Sequence, residues 1–416
     1  MKRIILLSTI TAVSLIAGGY KLPQQSLNSM ALGAAYIAHT TDADTAYYNP
    51  ANMSYLDPEI HYFETGVTLA HLPKNKYTGI QLLQNGTVTI PSAVASGESE
   101  VENIPIPYLH YVAPAMGKWR YGLSVVAPAG LTKRWEAAVQ KLFAEEFALK
   151  NVVLNPAFSY RVSDEFSVGG GLRLIYSKGK VYSDGSLAGI PFKREMEGNT
   201  IEFGYNLALA WRPTDDISVG ITYRSKVDLD QEGQANLYLA GIGRQFDATV
   251  SIPIPAALNI AISKTWDDVL TLEFVYERTF WSAYKTLDFE YGSPIQPALV
   301  SAFDDPKPKD WEDSNTYRFG LTYEYSDRLT LMAGYAYDET PVPAKTLNYE
   351  QPDSDSHIFS AGFKYKHSES LSWGAAVLYS KKDSRKLGAG ENINGIVGEF
   401  TDGGAILGTV GMSYRF

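Results

Sequence analysis

Six histidines, His39, His61, His71, His110, His357 and His367, are the side chains best suited to acid-base or metal chemistry, and their spacing serves neither. No pair follows the His-Glu-x-x-His pattern of a zinc site, no Gly-x-Ser-x-Gly elbow presents a nucleophile, and there is no cysteine. The Gly-x-x-x-x-Gly-Lys-Ser/Thr loop that cradles nucleotide phosphates is missing as well. The chain is therefore not read as an enzyme, and no cofactor or energy source is expected. The groups left for chemistry are Arg173, Arg224 and Arg318, each on the polar face of an alternating segment. There they are suited to holding an internal element or to drawing in an anion.

The elements that position these arginines follow from composition and periodicity. Over 416 residues the formal charge is -10, which argues against a binder of nucleic-acid phosphates. The 28 tyrosines suit surfaces that are apolar on one side and wet on the other. Met1-Lys2-Arg3 and the apolar run 4–17 read as a secretory signal peptide over 1–19, with a mature start near Tyr20. No later stretch is apolar enough for a transmembrane helix, so a membrane protein of this kind must be a β-barrel.

Downstream the period is two. Tyr317, Phe319, Leu321, Tyr323 and Tyr325 alternate with Thr316, Arg318, Gly320, Thr322 and Glu324. Fourteen such strands are predicted, at 60–72, 103–114, 118–127, 150–163, 165–181, 199–212, 216–229, 246–265, 268–281, 314–326, 328–339, 355–367, 370–382 and 404–416. Tight turns and long loops alternate between them, as in an outer-membrane barrel of the Gram-negative type. The long loops fall at 73–102, 128–149, 182–198, 230–245, 282–313, 340–354 and 383–403. Pro253 and Pro255 inside the longest strand imply a bulge there or a misplaced boundary.

Residues 20–59 do not alternate, and as a compact apolar element they are expected to plug the lumen of the barrel formed by 60–416. Here the sequence resembles the FadL/TodX family of outer-membrane transporters for long-chain fatty acids and aromatic hydrocarbons. The resemblance is carried by Asp42-Ala43-Asp44-Thr45-Ala46-Tyr47-Tyr48-Asn49-Pro50-Ala51-Asn52-Met53, by Leu154-Asn155-Pro156-Ala157-Phe158, by Thr279-Phe280-Trp281-Ser282 and by Gly334-Tyr335-Ala336-Tyr337-Asp338. It implies an all-β, 14-stranded antiparallel transmembrane barrel with an N-terminal hatch. It also implies passive uptake of a hydrophobic compound, most simply a long-chain fatty acid. The alternatives are neutral aromatic hydrocarbons by the same route, or a polar-solute porin.

Site residues follow from both readings. Asn49, Pro50 and Ala51 are expected at the gate, since Pro50 restricts Asn49 and the Asn side chain can bond nearby backbone. An ordinary Asn-Pro turn is the competing account. Helical spacing in 135–147 puts Trp135, Leu142, Phe143 and Phe147 on one face, and the resemblance makes that face an outward capture groove. Arg134 belongs to the same groove, with Lys133 and Lys178 as contacts for a carboxylate. By parity Lys178 points outward, where lipopolysaccharide is an equal partner. The resemblance also implies a lateral exit at a kink in the third strand, for which the local breakers Gly122 and Pro128 are the candidates, an ordinary strand end at Pro128 being the simpler account. Glu312 stands where the family commonly has Lys, which keeps a neutral substrate open. The terminal Phe416 reads as a signal for the barrel assembly machinery. A monomer in contact with outer-membrane lipids is expected.

Overall fold

The computed structural model describes residues 18–83 and 88–416, so the predicted leader lies outside the described residues except for Gly18 and Gly19. Fourteen antiparallel strands form the wall. They are β1 (Tyr62–Leu72), β2 (Glu102–Val112), β3 (Trp119–Val126), β4 (Glu146–Arg161), β5 (Phe166–Asp184), β6 (Phe192–Thr214), β7 (Ile217–Arg224), β8 (Ala257–Trp266), β9 (Leu270–Thr279), β10 (Ser314–Ser326), β11 (Leu329–Asp338), β12 (Ser356–Lys366), β13 (Leu371–Lys382) and β14 (Gly404–Arg415). Pairing of Tyr62–His71 with Ile406–Arg415 closes the barrel.

Alternation places Leu69, Leu172, Phe203, Phe319 and Val410 on the outer surface, exposed as a lipid-facing band requires. Trp119, Trp211, Trp266, Trp373 and Tyr414 ring the end that carries the tight turns, where amphipathic rings favour the membrane interface. The turn after β8 is set locally. Asp267 and Asp268 both take left-handed φ, 51° and 54°, as a short hairpin turn demands.

Two boundaries differ from the periodicity reading. The predicted seventh and eighth strands merge wall with something else. β7 ends at Arg224 and β8 begins at Ala257, and between them Val227–Leu239 and Ile242–Ile254 form a separate hairpin. That hairpin pairs with the upper half of β6, Phe192–Asn199. Pro255 therefore marks the junction of two strands rather than a bulge within one, because it cannot donate to a continuous ladder. Likewise most of the predicted loop 182–198 is strand, since β5 and β6 run far above the membrane band and pair with each other from Phe166↔Trp211 to Asp184↔Lys193.

The non-alternating N-terminal stretch lies inside the barrel. Among residues 20–53 only Thr41 is exposed. Helix α1 (Leu27–Ala31) packs on β11, β12, β13 and β14, and α2 (Thr45–Tyr48) on β2, β3 and β4. A 3-10 helix, Pro50–Tyr55, lies against β3 to β6. Short helices of this kind are marginal alone, so the wall supplies their stability.

Candidate functional site

The luminal segment is held by its own backbone and by charged groups of the wall. Glu273 on β9 accepts the N–H groups of Ile37, Ala38 and His39 at 2.6, 2.7 and 3.1 Å. Asp42 is fully buried and pairs with Lys364 and, at 3.0 Å, with Arg415. Close approach is allowed by inward glycines. A Cβ on Gly334 would meet the backbone of Leu32, and one on Gly169 would meet Pro50 and Ala51.

The three residues expected at the gate sit together in this packing. Buried Asn49 donates to the carbonyls of Ile37 (2.9 Å) and Leu209 (3.2 Å) and accepts the N–H of Ala51 at 3.2 Å. Pro50 opens the 3-10 helix, where its missing N–H is no loss. The Ala51 carbonyl accepts the Ser167 hydroxyl at 2.7 Å. Two titratable groups of the segment are perturbed. Burial pushes the Asp44 carboxyl up to about 6, against hydrogen bonds from Ser26, Asn28 and Tyr36 that hold it down. Burial, and then the Arg212 charge, pull the His39 imidazole down to about 4.

Above Leu109 the wall opens. β2 pairs with β3 only from Leu109↔Val125 to Val112↔Gly122, while β2 continues down to Glu102 beside β1 alone. The window closes again at the top, where Ser99 bridges Trp135 and Arg134 forks onto Glu102 at 2.6 and 2.9 Å. Pro105 and Pro107 lie along its edge and carry no N–H for a second ladder. Such alternate prolines inside an alternating strand are a signal legible in the sequence that periodicity alone passes over. The strand breaks at Ala127–Ala129, between β3 and the short strand Gly130–Arg134, and Pro128 lies in that break. Gly122 stays in the ladder with Val112 and Ala157. Its bare Cα instead makes room for Ala46 and Met53.

The luminal segment stitches this break. Leu22 N–H donates to the Pro128 carbonyl at 2.7 Å and Gly130 N–H to the Tyr20 carbonyl at 2.9 Å. Gln25 bonds both backbone groups of Ala127, at 3.1 and 2.8 Å. Inside the window lies a narrow cavity of about 60 Å³, walled by Leu22, Val153, Ile175 and Ile254 and carrying Arg173, Arg224 and Arg318. All three arginines therefore face inward. A second void, of only about 10 Å³, is lined by Tyr20, Tyr284 and Trp311 together with Phe147, Leu131 and Leu149.

The predicted capture face is not an open groove. Trp135 is fully buried, its indole N–H donating to the Tyr349 carbonyl at 2.9 Å. It joins Tyr77, Phe143, Tyr349 and Phe400 in an aromatic core beneath the extracellular loops. Leu142 and Phe147 are buried too, and Phe143 is half-buried. An amphipathic helix buries its apolar face when partner loops cover it, and here Tyr77, Tyr349 and Phe400 from three other loops form the cover. Lys133 is buried and donates to Asn75, with burial pulling its pKa down to about 8. Lys178 is exposed on the outside, 3.2 Å from Glu197. Glu312 is exposed as well, so it places no acid in the lumen. Phe416 stacks on His61 at 4.7 Å and exchanges backbone hydrogen bonds with it.

Comparison with known proteins agrees with this architecture. A long-chain fatty acid transport protein of Escherichia coli O6:H1 is 25% identical over 423 residues, covering 89% of this chain and 90% of that one. Outer membrane protein P1 of Haemophilus influenzae is also 25% identical, over 89% of each chain. Among solved structures, a Pseudomonas aeruginosa FadL homologue superposes with a TM-score of 0.78 at 21% identity, covering 96% of this chain and 99% of that one. The Pseudomonas putida toluene transporter TodX does so with 0.68 at 16%, covering 97% and 100%. The outer membrane protein transport protein family matches residues 8–416. With a closed lipid-facing barrel spanning nearly all of that match, the chain is an outer-membrane protein and belongs to the OMPP1/FadL/TodX family.

Proposed function

We propose that the protein carries hydrophobic compounds passively across the outer membrane, long-chain fatty acids foremost, with residues 20–59 as a movable hatch. The observation that carries this reading is the window beside β2, whose interrupted backbone is bonded by Tyr20, Leu22 and Gln25 of that same segment. If the segment shifts, those bonds open, and an apolar compound in the lumen meets the hydrocarbon of the bilayer directly. No water-filled pore is then required, and a filled lumen speaks against a polar-solute porin. The long-chain fatty acid transport protein of Escherichia coli is the relative whose cargo suits this route.

In this reading compounds enter through the aromatic cavity at Phe147, Leu131 and Leu149. Lys133 and Arg134 follow Leu131 on the strand Gly130–Arg134 and offer their charges to a carboxylate on its way in, and Trp135, Leu142 and Phe143 hold the cap in shape. Asn49, Pro50 and Ala51 act as the pivot of the hatch. A neutral aromatic cargo is the second reading, favoured by the rings of Tyr20, Tyr284 and Trp311 around that cavity. Lys178 faces lipopolysaccharide, the barrel works as a monomer, and the assembly machinery takes up the terminal Phe416.

Because the chain has no cysteine, a Lys21→Cys, Ala129→Cys pair across the observed β-bridge gives a unique tether. Oleate and toluene uptake by cells making this variant should fall on oxidation and return on reduction. Uptake indifferent to the tether would rule out hatch movement.

A further inference from the structure

Two glycines ahead of the luminal segment are packed as closely as the segment itself. Gly18 and Gly19 are buried, although small-residue spacing alone would give both to the leader. The Gly18 N–H donates to the Asp338 carboxylate, and the Gly19 N–H to that of Asp353 at 3.1 Å. The space admits nothing larger than glycine. A Cβ on Gly18 would meet the Glu339 carbonyl at 2.6 Å, and one on Gly19, whose φ is 72°, would enter the Trp281 ring.

The two carboxylates differ in their other partners. Asp353 pairs with Lys382 and accepts the Thr340 hydroxyl at 2.7 Å. Asp338, only 3% exposed, has the Thr316 hydroxyl and the Gly18 nitrogen, and makes no ion pair among the described residues. Lys21 and Arg318, the cations whose charge reaches it, are engaged by Glu277 at 2.7 and 3.4 Å. A buried carboxylate without a counter-charge of its own is costly. An amide at position 18 offers one neutral donor, whereas a free chain terminus there offers an ammonium and a charge-assisted bond.

We infer that the leader is cut between Ala17 and Gly18, and that the α-ammonium of Gly18 forms a buried ion pair with Asp338. Water hydrolyses the Ala17–Gly18 amide; its oxygen goes to the Ala17 carboxylate and both its hydrogens to the Gly18 nitrogen. Small-residue spacing by itself suits a cut after Gly19, with Ala17 and Gly19 in both recognition places, since a cut after Ala17 puts Leu15 in the outer one. A cut after Gly19, however, discards two residues for which Asp338, Asp353 and Trp281 form a fitted seat, and leaves the Asp338 charge alone. The inference does not depend on the transport reading. It extends the luminal segment by two residues and fixes its free end to β11 by charge.

The test begins with intact mass and N-terminal sequencing of the protein extracted from outer membranes. A chain starting at Gly18 is expected, and a start at Tyr20 or at any other residue overturns the inference. The ion pair is read separately with pyridinecarboxaldehyde, which modifies α-amines and spares lysines. Folded wild type in non-ionic detergent should react about tenfold or more slowly than heat-unfolded protein, and Asp338→Asn should recover most of that rate. Burial alone would protect the amine equally in both, so an unchanged rate in Asp338→Asn overturns the ion pair, as does rapid labelling of folded wild type. If Asp338→Asn yields no heat-modifiable barrel, the pH dependence of wild-type labelling decides. An ion-paired terminus labels only above the ordinary α-amino range of about 7.7–8.0, and half-maximal labelling within that range overturns the pair.

Discussion

The carboxylate of Glu273 lies 2.6 Å from the backbone nitrogen of Ile37, so a wall strand holds the luminal segment by its main chain. Two further N–H groups, from Ala38 and His39, share the same carboxylate. Hydrogen bonds to a charged acceptor contribute about 1.5–3 kcal/mol each, and stranded buried donors cost a similar amount. Glu273→Ala should therefore loosen the segment while leaving the barrel closed. Ion conductance in planar bilayers should rise well above the wild-type level. Wild-type conductance in that variant would mean the segment is held elsewhere.

Gly334 offers a steric version of the same experiment. A side chain there must enter the backbone of Leu32, whereas a Cβ added at Gly408 would have nothing within 4 Å. Gly334→Val should unseat α1 and raise conductance, and Gly408→Val should behave as wild type. Equal behaviour of the two would contradict the seating of α1 against β11.

Trp135 is a core residue of the extracellular cap. Trp135→Ala should cost about 3–5 kcal/mol of local stability, as for other buried Trp truncations, and expose the 128–149 region to protease. Lys178→Ala, at an exposed ion pair, should change stability by under about 1 kcal/mol. Protease resistance of Trp135→Ala equal to wild type would refute the buried aromatic core.

Acid acts on the luminal segment with opposed signs. The His39 pKa is about 4 in the seated segment against 6.5 when free, so its contribution is complete above pH 6.5 and is lost as pH falls towards 4. Asp44, at about 6 against 3.8, runs the other way and favours the seated state as pH falls through 6. His39→Gln removes the first effect only. The variant should become progressively more closed than wild type between pH 6.5 and 4, read as conductance against pH. Parallel pH profiles would exclude His39 as the acid-sensitive group.

Phe416 should matter before the barrel is complete as well as after. Its ring stacks on His61 and its backbone closes the β1–β14 seam. Deleting Phe416 should lower the amount of heat-modifiable barrel in the outer membrane more than His61→Ala does, because the latter leaves the terminal aromatic intact. An undiminished yield from the deletion would remove Phe416 from the assembly signal.

How far the sequence could be read depended on the range of the interactions involved. Strand existence is local: the alternation of Tyr317 to Tyr325 survives as an outward face, and Arg318 points inward as parity required. The same parity placed Lys178 outside. The merging of β7 with Val227–Leu239 arose because both are alternating and only two residues separate them. The capture helix was legible as amphipathic, but nothing within 135–147 says whether its apolar face meets ligand or Tyr349.

Local pattern was enough to specify the alternating strands, the alternation of turns and loops, a non-alternating segment ahead of them, and inward arginines. Each depends on neighbours within a few residues, where the period of two sorts lipid from lumen. Only the closed barrel establishes that β2 and β3 part above Leu109, that Tyr20 to Gln25 stitch the break, and that Trp135 is covered. It also brings Arg173, Arg224 and Arg318 to one cavity. These features depend on register between strands far apart in the chain, and closure of the barrel is what selects that register.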